Sequence, residues 1–185
     1  MDFELKVHDN LSLRLRKPED AQHFFQLVEK NREAFRPYLD WIDTTTSDKD
    51  VEDFILKCKK GFEEKTSADF GVLYEGKWVG SMGFHDIRHD HHRAAIGYWL
   101  DREYQGKGIM TACVKAIINY GFTELNLNRI EIQCEMNNLK SKAIPERLGF
   151  TCEGILRDYH KVNGEYQNDL LYSLLKREWK GYKNI

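Results

Sequence analysis

Leu11, Leu13 and Leu15 alternate with Ser12, Arg14 and Arg16, the period of a strand buried on one face. Pro18 then predicts a helix start. Proline is tolerated in a first turn, Glu19 and Asp20 suit the positive helix end, and Ala21, Phe24, Phe25, Leu27 and Val28 supply an apolar face to about Lys30. Residues 36–41 are aromatic but irregular. Ser47 with Asp50 has the form of a capping box ahead of a second helix, with Val51, Phe54, Ile55, Cys58 and Phe62 on one side, ending near Lys65. Runs at 70–74 and 78–84 read as strands of a hairpin turning at Glu75-Gly76, and a third strand runs from Arg93 to Leu100.

Ile109, Ala112, Cys113, Ala116, Ile117 and Tyr120 then recur at the spacing of one continuous stripe on a helix. After it come a strand at 129–134, a helix at 139–148 and a final hairpin turning at Asn163-Gly164. Pro145 removes a helical N–H beyond the first turn, so that helix is expected to be kinked or short. The element order is βααβββαβαββ. No repeat, linker or low-complexity segment interrupts it, and 185 residues suit one well-buried α/β domain, taken as 1–185.

Charge narrows the partners. Lys and Arg number 28 against 30 acids, a formal net charge of -2, so no global positive field argues for direct binding of nucleic acid or an anionic membrane. Cys58, Cys113, Cys134 and Cys152 show no Cys-x-x-Cys pairing and read as small core hydrophobes in a reducing compartment. The start, Met1-Asp2-Phe3-Glu4, is acidic, and no run approaches the ~20 apolar residues of a membrane helix, which leads us to expect a cytoplasmic protein.

The chemistry concentrates at Gln105-Gly106-Lys107-Gly108-Ile109-Met110, between the third strand of the hairpin region and the long helix. Gly106 and Gly108 let the backbone turn tightly and let a ligand approach it, while unpaired N–H groups and the positive helix end attract phosphate. The expected ligand is a pyrophosphate; a plain tight turn is the other reading of the pair. There is no Gly-x-Gly-x-x-Gly, because Thr111 stands at the third glycine, and no nucleoside-triphosphate loop.

Gln-x-x-Gly-x-small after a strand resembles the acetyl-coenzyme A motif of the GNAT N-acetyltransferase superfamily, though Met110 replaces the more common Gly or Ala. Further likeness lies in Ile96-Gly97-Tyr98-Trp99-Leu100, in Asn138-Leu139-Lys140-Ser141 followed by Arg147-Leu148-Gly149-Phe150, and in Glu153-Gly154-Ile155-Leu156-Arg157. The run Tyr104-Gln105-Gly106-Lys107-Gly108-Ile109-Met110-Thr111 resembles the branch that acetylates N-terminal serine or alanine of ribosomal proteins. The resemblance implies a GNAT α/β fold: a mixed, mostly antiparallel central sheet flanked by helices, with two central strands splayed to form the coenzyme A cleft. It implies acetyl-coenzyme A as cosubstrate, no metal, and direct transfer of acetyl to a primary amine such as a ribosomal-protein N-terminus. It also implies that Trp99 and Leu100 offer an unpaired backbone edge to the pantetheine, that Gln105 to Met110 hold the diphosphate, and that Asn138 caps the helix carrying Ser141. Homodimers or higher homo-oligomers are suggested by kinship alone.

In that branch the serine matching Ser141 stands near the sulfur, where its hydroxyl can hydrogen-bond to or protonate the leaving thiolate. The strand carboxylate common in relatives is absent, since Ala94-Ala95-Ile96 occupies its place, and the branch's glutamate aligns with His160. An imidazole there can take the amine proton directly or through water, although an N-terminal amine, with a pKa of ~8, has a neutral fraction without it. Tyr38, Trp41, His85 and Asp169 are expected at the acceptor channel, Trp41 with equal standing as a packing anchor. His85, His89, His91 and His92 lie in or beside a polar hairpin loop, which is ordinarily solvated surface rather than a metal site. Two alternatives keep their place: a polyamine, aminoglycoside or other small-amine acetyltransferase, and a non-catalytic acyl-coenzyme A-binding protein.

Overall fold

The structure, a computed structural model, describes residues 2–162 and 164–182, so Met1 and Asn163 of the expected final turn lie outside the described residues. Its first element is a strand that precedes the alternating leucines. β1 (Glu4–His8) pairs antiparallel with β2 (Leu11–Arg14), Leu5 opposite Leu13, because Leu5 and Val7 alternate with polar neighbours just as the leucines after them do. A short 3₁₀ turn at Pro18–Asp20 leads into α1 (Ala21–Phe35), which runs five residues past the expected end near Lys30 because Asn31 and Phe35 continue its buried stripe of Ala21, Phe24 and Val28. α2 (Asp48–Glu63) begins as expected, Ser47 Oγ accepting the Asp50 N–H while the Asp50 carboxylate accepts the Ser47 N–H, a reciprocal cap.

β3 (Ala68–Tyr74) and β4 (Lys77–Arg88) form the expected hairpin; Glu75 and Gly76 both have positive φ, 49° and 75°. β5 (Arg93–Leu100), α3 (Ile109–Thr123), β6 (Arg129–Glu135), α4 (Leu139–Arg147), β7 (Thr151–Val162) and β8 (Glu165–Leu175) follow. All eight strands join one sheet in the order β1-β2-β3-β4-β5-β6-β8-β7, antiparallel except for β5 against β6. α4, interrupted by Pro145, is only nine residues long. α3 is buried on more than the expected stripe: Met110, Val114, Ile118 and Phe122 are buried as well, Phe122 packing on Trp179 at 5.3 Å between ring centroids.

The main core lies between α3 and the sheet. Gly121 lets the helix approach closely, since a Cβ there would stand 2.7 Å from Phe84 and 3.0 Å from Ile130. On the opposite sheet face, Arg16 is buried between the rings of Phe24 and Phe54, 4.9 and 5.3 Å from their centroids, and paired to Asp69, which also accepts the Ser81 hydroxyl. Arg16 touches both helices of that layer and fixes them to β3. The cysteines part from the expectation of a uniform core role: Cys113 and Cys134 are buried, Cys58 is half-buried beside Arg16, and Cys152 is exposed on β7. Among the described residues no helix is long and apolar enough to cross a membrane.

Gly121→Val should overfill the contact between α3 and the sheet and destabilise the protein by about 1–3 kcal/mol. Thermal denaturation should show a melting temperature several degrees lower; an unchanged value would mean that α3 is not seated as described.

Candidate active site

β5 and β6 pair only through Arg93–Ile96 and Arg129–Ile132, although both strands continue beyond. Past that point β5 keeps its bonds to β4 and β6 keeps its bonds to β8, and the two separate. Asp101 N–H bonds to the Val79 carbonyl on β4, so strand alternation turns the main-chain groups of Tyr98 and Leu100 toward the gap. The edge expected beside Trp99 and Leu100 is therefore offered by Leu100 and its neighbour Tyr98. The Trp99 ring lies on the α1 side with Phe24, Phe35 and Trp41, at centroid distances of 6.3, 5.5 and 6.5 Å.

The gap opens into a cleft of about 1190 Å³ that brings together Tyr38, Trp99, Leu100, Gln105, Gly106, Gly108, Ile109, Met110, Asn138 and Ser141. Gly106 and Gly108 both have positive φ, 76° and 78°, and a Cβ at either would meet nothing within 4 Å, so the loop has an open face. Gly108 caps α3 without a side chain. The first bond of the helix ladder runs from Ala112 N–H to the Gly108 carbonyl, which leaves the N–H groups from Gly106 to Thr111 without a backbone partner among the described residues. No acid occupies the first turn of α3. A diphosphate fits this cradle. Lys107 turns its ammonium over the Tyr104 ring, 5.0 Å from the centroid, and its side chain is outside the cleft wall.

Arg102, Lys115, Lys140 and Arg147 also line the cleft, and pattern reading missed all four. They come from the turn before α3, from α3 itself and from α4, so no local run of basic residues announces them. Gln105 bridges the gap: Nε2 donates to the Leu100 carbonyl at 2.9 Å and Oε1 accepts from Lys140 Nζ at 2.8 Å. The loop is also fastened to α1. Buried Asp101 accepts from Lys30 at 2.8 Å, and buried Asn31 accepts the Arg102 N–H at 3.1 Å.

Across the gap Asn138 Oδ1 accepts the Ser141 N–H at 3.1 Å, the expected cap. Tyr98, missed as a site residue although it stood in the strand motif, donates its hydroxyl to the Ser141 carbonyl at 3.0 Å and lies 3.3 Å from Ser141 Oγ. Burial pushes the Tyr98 phenol well above its ordinary range, which keeps it a neutral donor. Cys134 lies beside Ser141 at the free end of β6, its thiol pushed up to about 11 by burial and by Asp169, with the Ser141 hydroxyl acting in the other direction.

The remaining expected residues stand apart from the cleft wall. His160 and Asp169 face each other on β7 and β8, 3.0 Å between Nδ1 and Oδ1. Trp41 is half-buried against Trp99. His85 leans its ring over Gly97 on β5; burial of the ring's inner side holds the imidazole below its ordinary value, opposed by Asp86, Asp69 and Glu131. His89 and His92 bond separately to the carbonyls of Lys65 and Asn126.

Residues 10–151 match the acetyltransferase (GNAT) domain family. The chain is 37% identical over 182 residues to YdaF of Bacillus subtilis (strain 168), whose name proposes a ribosomal N-acetyltransferase; the match covers 98% of this chain and 100% of YdaF. Among solved structures, RimL, a ribosomal L7/L12 alpha-N-protein acetyltransferase in complex with coenzyme A through a cysteine disulfide, superposes with a TM-score of 0.91 at 26% identity, covering 94% of this chain and 98% of RimL. The microcin C7 self-immunity acetyltransferase MccE, in complex with acetyl-coenzyme A and AMP, gives 0.88 at 29% identity over 92% of this chain and 94% of that one.

Gly108→Asp should abolish coenzyme A binding in calorimetry by placing a carboxylate on the open face of the loop. Gly108→Asn is the control, since Asn and Asp visit the left-handed region with similar ease and only Asp brings a charge. Equal affinities for the two would place the diphosphate elsewhere.

Proposed function

Because the chain belongs to the GNAT acetyltransferase family, we propose that its acceptor is the N-terminal amine of a protein, of the ribosomal-protein kind. It is an acetyl-coenzyme A-dependent N-acetyltransferase. The observation that carries the reading of the site is the parting of β5 from β6, with unpartnered N–H groups on one lip and Ser141 on the other. When bound, acetyl-coenzyme A supplies an activated acetyl thioester.

The amides from Gly106 to Thr111 would hold its diphosphate, with Arg102, Lys115, Lys140 and Arg147 around the phosphates. The main-chain N–H and C=O of Tyr98 and the N–H of Leu100 would bond the pantetheine as an added strand does, the Leu100 carbonyl being held by Gln105. Ser141 would then meet the sulfur, its hydroxyl bonding to the departing thiolate. RimL was solved with coenzyme A joined to a cysteine, and this chain carries Cys134 beside Ser141, which agrees with a sulfur held at that end of the cleft. The amine would attack the thioester directly, with no acetyl-enzyme formed, and His160 would take its proton. Tyr38 at the cleft wall would guide the acceptor, together with Trp41, His85 and Asp169 from outside that wall.

Ser141→Ala should lower kcat on the order of 10²-fold with little change in coenzyme A affinity. Unchanged turnover would remove Ser141 from the leaving-group role. A panel of Ser- and Ala-initiated peptides against polyamines and aminoglycosides should show the highest kcat/KM for peptides. Preference for the small amines would reassign the acceptor, and cofactor binding without turnover of any amine would favour an acyl-coenzyme A-binding role.

A further inference from the structure

Buried polar atoms without a hydrogen-bond partner are uncommon, and each calls for an explanation. Among the described residues, two of the three such side-chain atoms belong to one contact: Asp169 Oδ1 and His160 Nε2. Nδ1 of His160 stands 3.0 Å from Oδ1 but off the line of a hydrogen bond, and Nε2, the far ring nitrogen, is enclosed. A small rotation of the ring would align Nδ1–H with the carboxylate; bonds of this sort in free enzymes are often poorly aligned and tighten when substrate arrives.

The strands create this contact. β7 and β8 lose register between Leu156 and His160, so that His160, opposite Gln167, approaches Asp169, whose own pairing partners are Leu156 on β7 and Glu135 on β6. Glu135 and Asp169 are both buried, and Glu135 Oε1 is occupied by the main-chain and side-chain N–H groups of Asn137. Burial, with Glu135 adding to it, pushes the Asp169 carboxyl up, while the imidazole opposes the shift. Asp169 thus meets the ring on one side and the field of Glu135 on the other strand. Cys134 of β6 feels this contact and Ser141 alike: its thiol is raised by burial, by Asp169, and to a lesser degree by Glu135 and by Glu146 of α4, while the Ser141 hydroxyl acts in the other direction.

We infer that Asp169 is the positioning residue of a His160–Asp169 dyad: it holds the proton on Nδ1, so that Nε2, enclosed in the free protein, has its lone pair available once a bound acceptor displaces the groups that cover it. This deepens the reading of His160 as base and rests on it. As the C–N bond forms, the amine's proton passes to Nε2, directly or through one water, and the C–S bond breaks with its electron pair leaving on sulfur. The imidazolium so formed lies against a carboxylate that already carries the field of Glu135. The protonated state therefore gains more from Asp169 than the neutral one does, as transition-state stabilisation requires.

The test begins with the tautomer, which is independent of turnover. Ring ¹⁵N–¹H correlations at a pH where His160 is neutral should show the proton on Nδ1 in the wild-type protein and loss of that preference in Asp169→Asn. A wild-type proton on Nε2 would overturn the proposal. In kinetics with the best acceptor, His160→Gln should lower kcat/KM on the order of 10²-fold. Asp169→Asn should lower it about tenfold and move the acid limb of the profile to lower pH, because removing the carboxylate weakens the ring's hold on a proton. Asp169→Asn should cost nothing further in the His160→Gln background. An equal loss in both backgrounds, or an acid limb that stays in place, would reduce Asp169 to a structural role. Coenzyme A affinity should stay unchanged in all variants; its loss in the wild-type protein would strike the reading of the cleft and leave the dyad to the tautomer measurement. Asp169→Glu, which keeps the charge, should retain the wild-type acid limb and serves if Asp169→Asn does not fold.

Discussion

The site depends on one interrupted ladder. A β-sheet satisfies each strand's N–H and C=O groups through its neighbour, and ending that exchange between two central strands leaves main-chain groups that water or a ligand must meet. Here the interruption falls after Ile96 and Ile132, and both strands stay supported on their outer sides by β4 and β8. The opening is therefore a rigid gap between two paired halves. Gln105 spans it with its amide, occupying the Leu100 carbonyl on one lip and the Lys140 ammonium on the other.

Burial of charge arranges the layer on the other face of the sheet. Arg16, sandwiched by Phe24 and Phe54 and paired with Asp69, is a cation with almost no access to water. Removing one partner of such a pair costs about 3–5 kcal/mol because the other is left uncompensated. That layer carries Phe24, Phe35 and Trp41 onto Trp99, so the aromatic wall beside the cleft rests on the same buried ion pair.

Much of this was legible in residue order because it depends on local rules. The capping box at Ser47, the Glu75-Gly76 turn, the glycine loop before α3 and the Asn138 cap are each specified within a few residues, and each stands where the pattern put it. β1 was also written in the chain, in Leu5 and Val7, but two alternating apolar positions are a weak signal. The basic residues of the cleft were not legible, because Arg102, Lys115, Lys140 and Arg147 are scattered along the chain and meet only through the fold. The approach of His160 to Asp169 depends on a register slip between β7 and β8, and no periodicity encodes a slip.

The fastening of the glycine loop to α1 has a thermodynamic consequence. Asp101 and Asn31 are almost wholly enclosed, so the bonds from Lys30 and to Arg102 N–H tie the loop that faces the diphosphate to the helix whose far end, at Ala34 and Phe35, walls the same cleft. Any ordering of that helix by one reactant would then already be in place for the other. By linkage the benefit is mutual and equal in size whichever arrives first, so the coupling itself favours neither order of arrival.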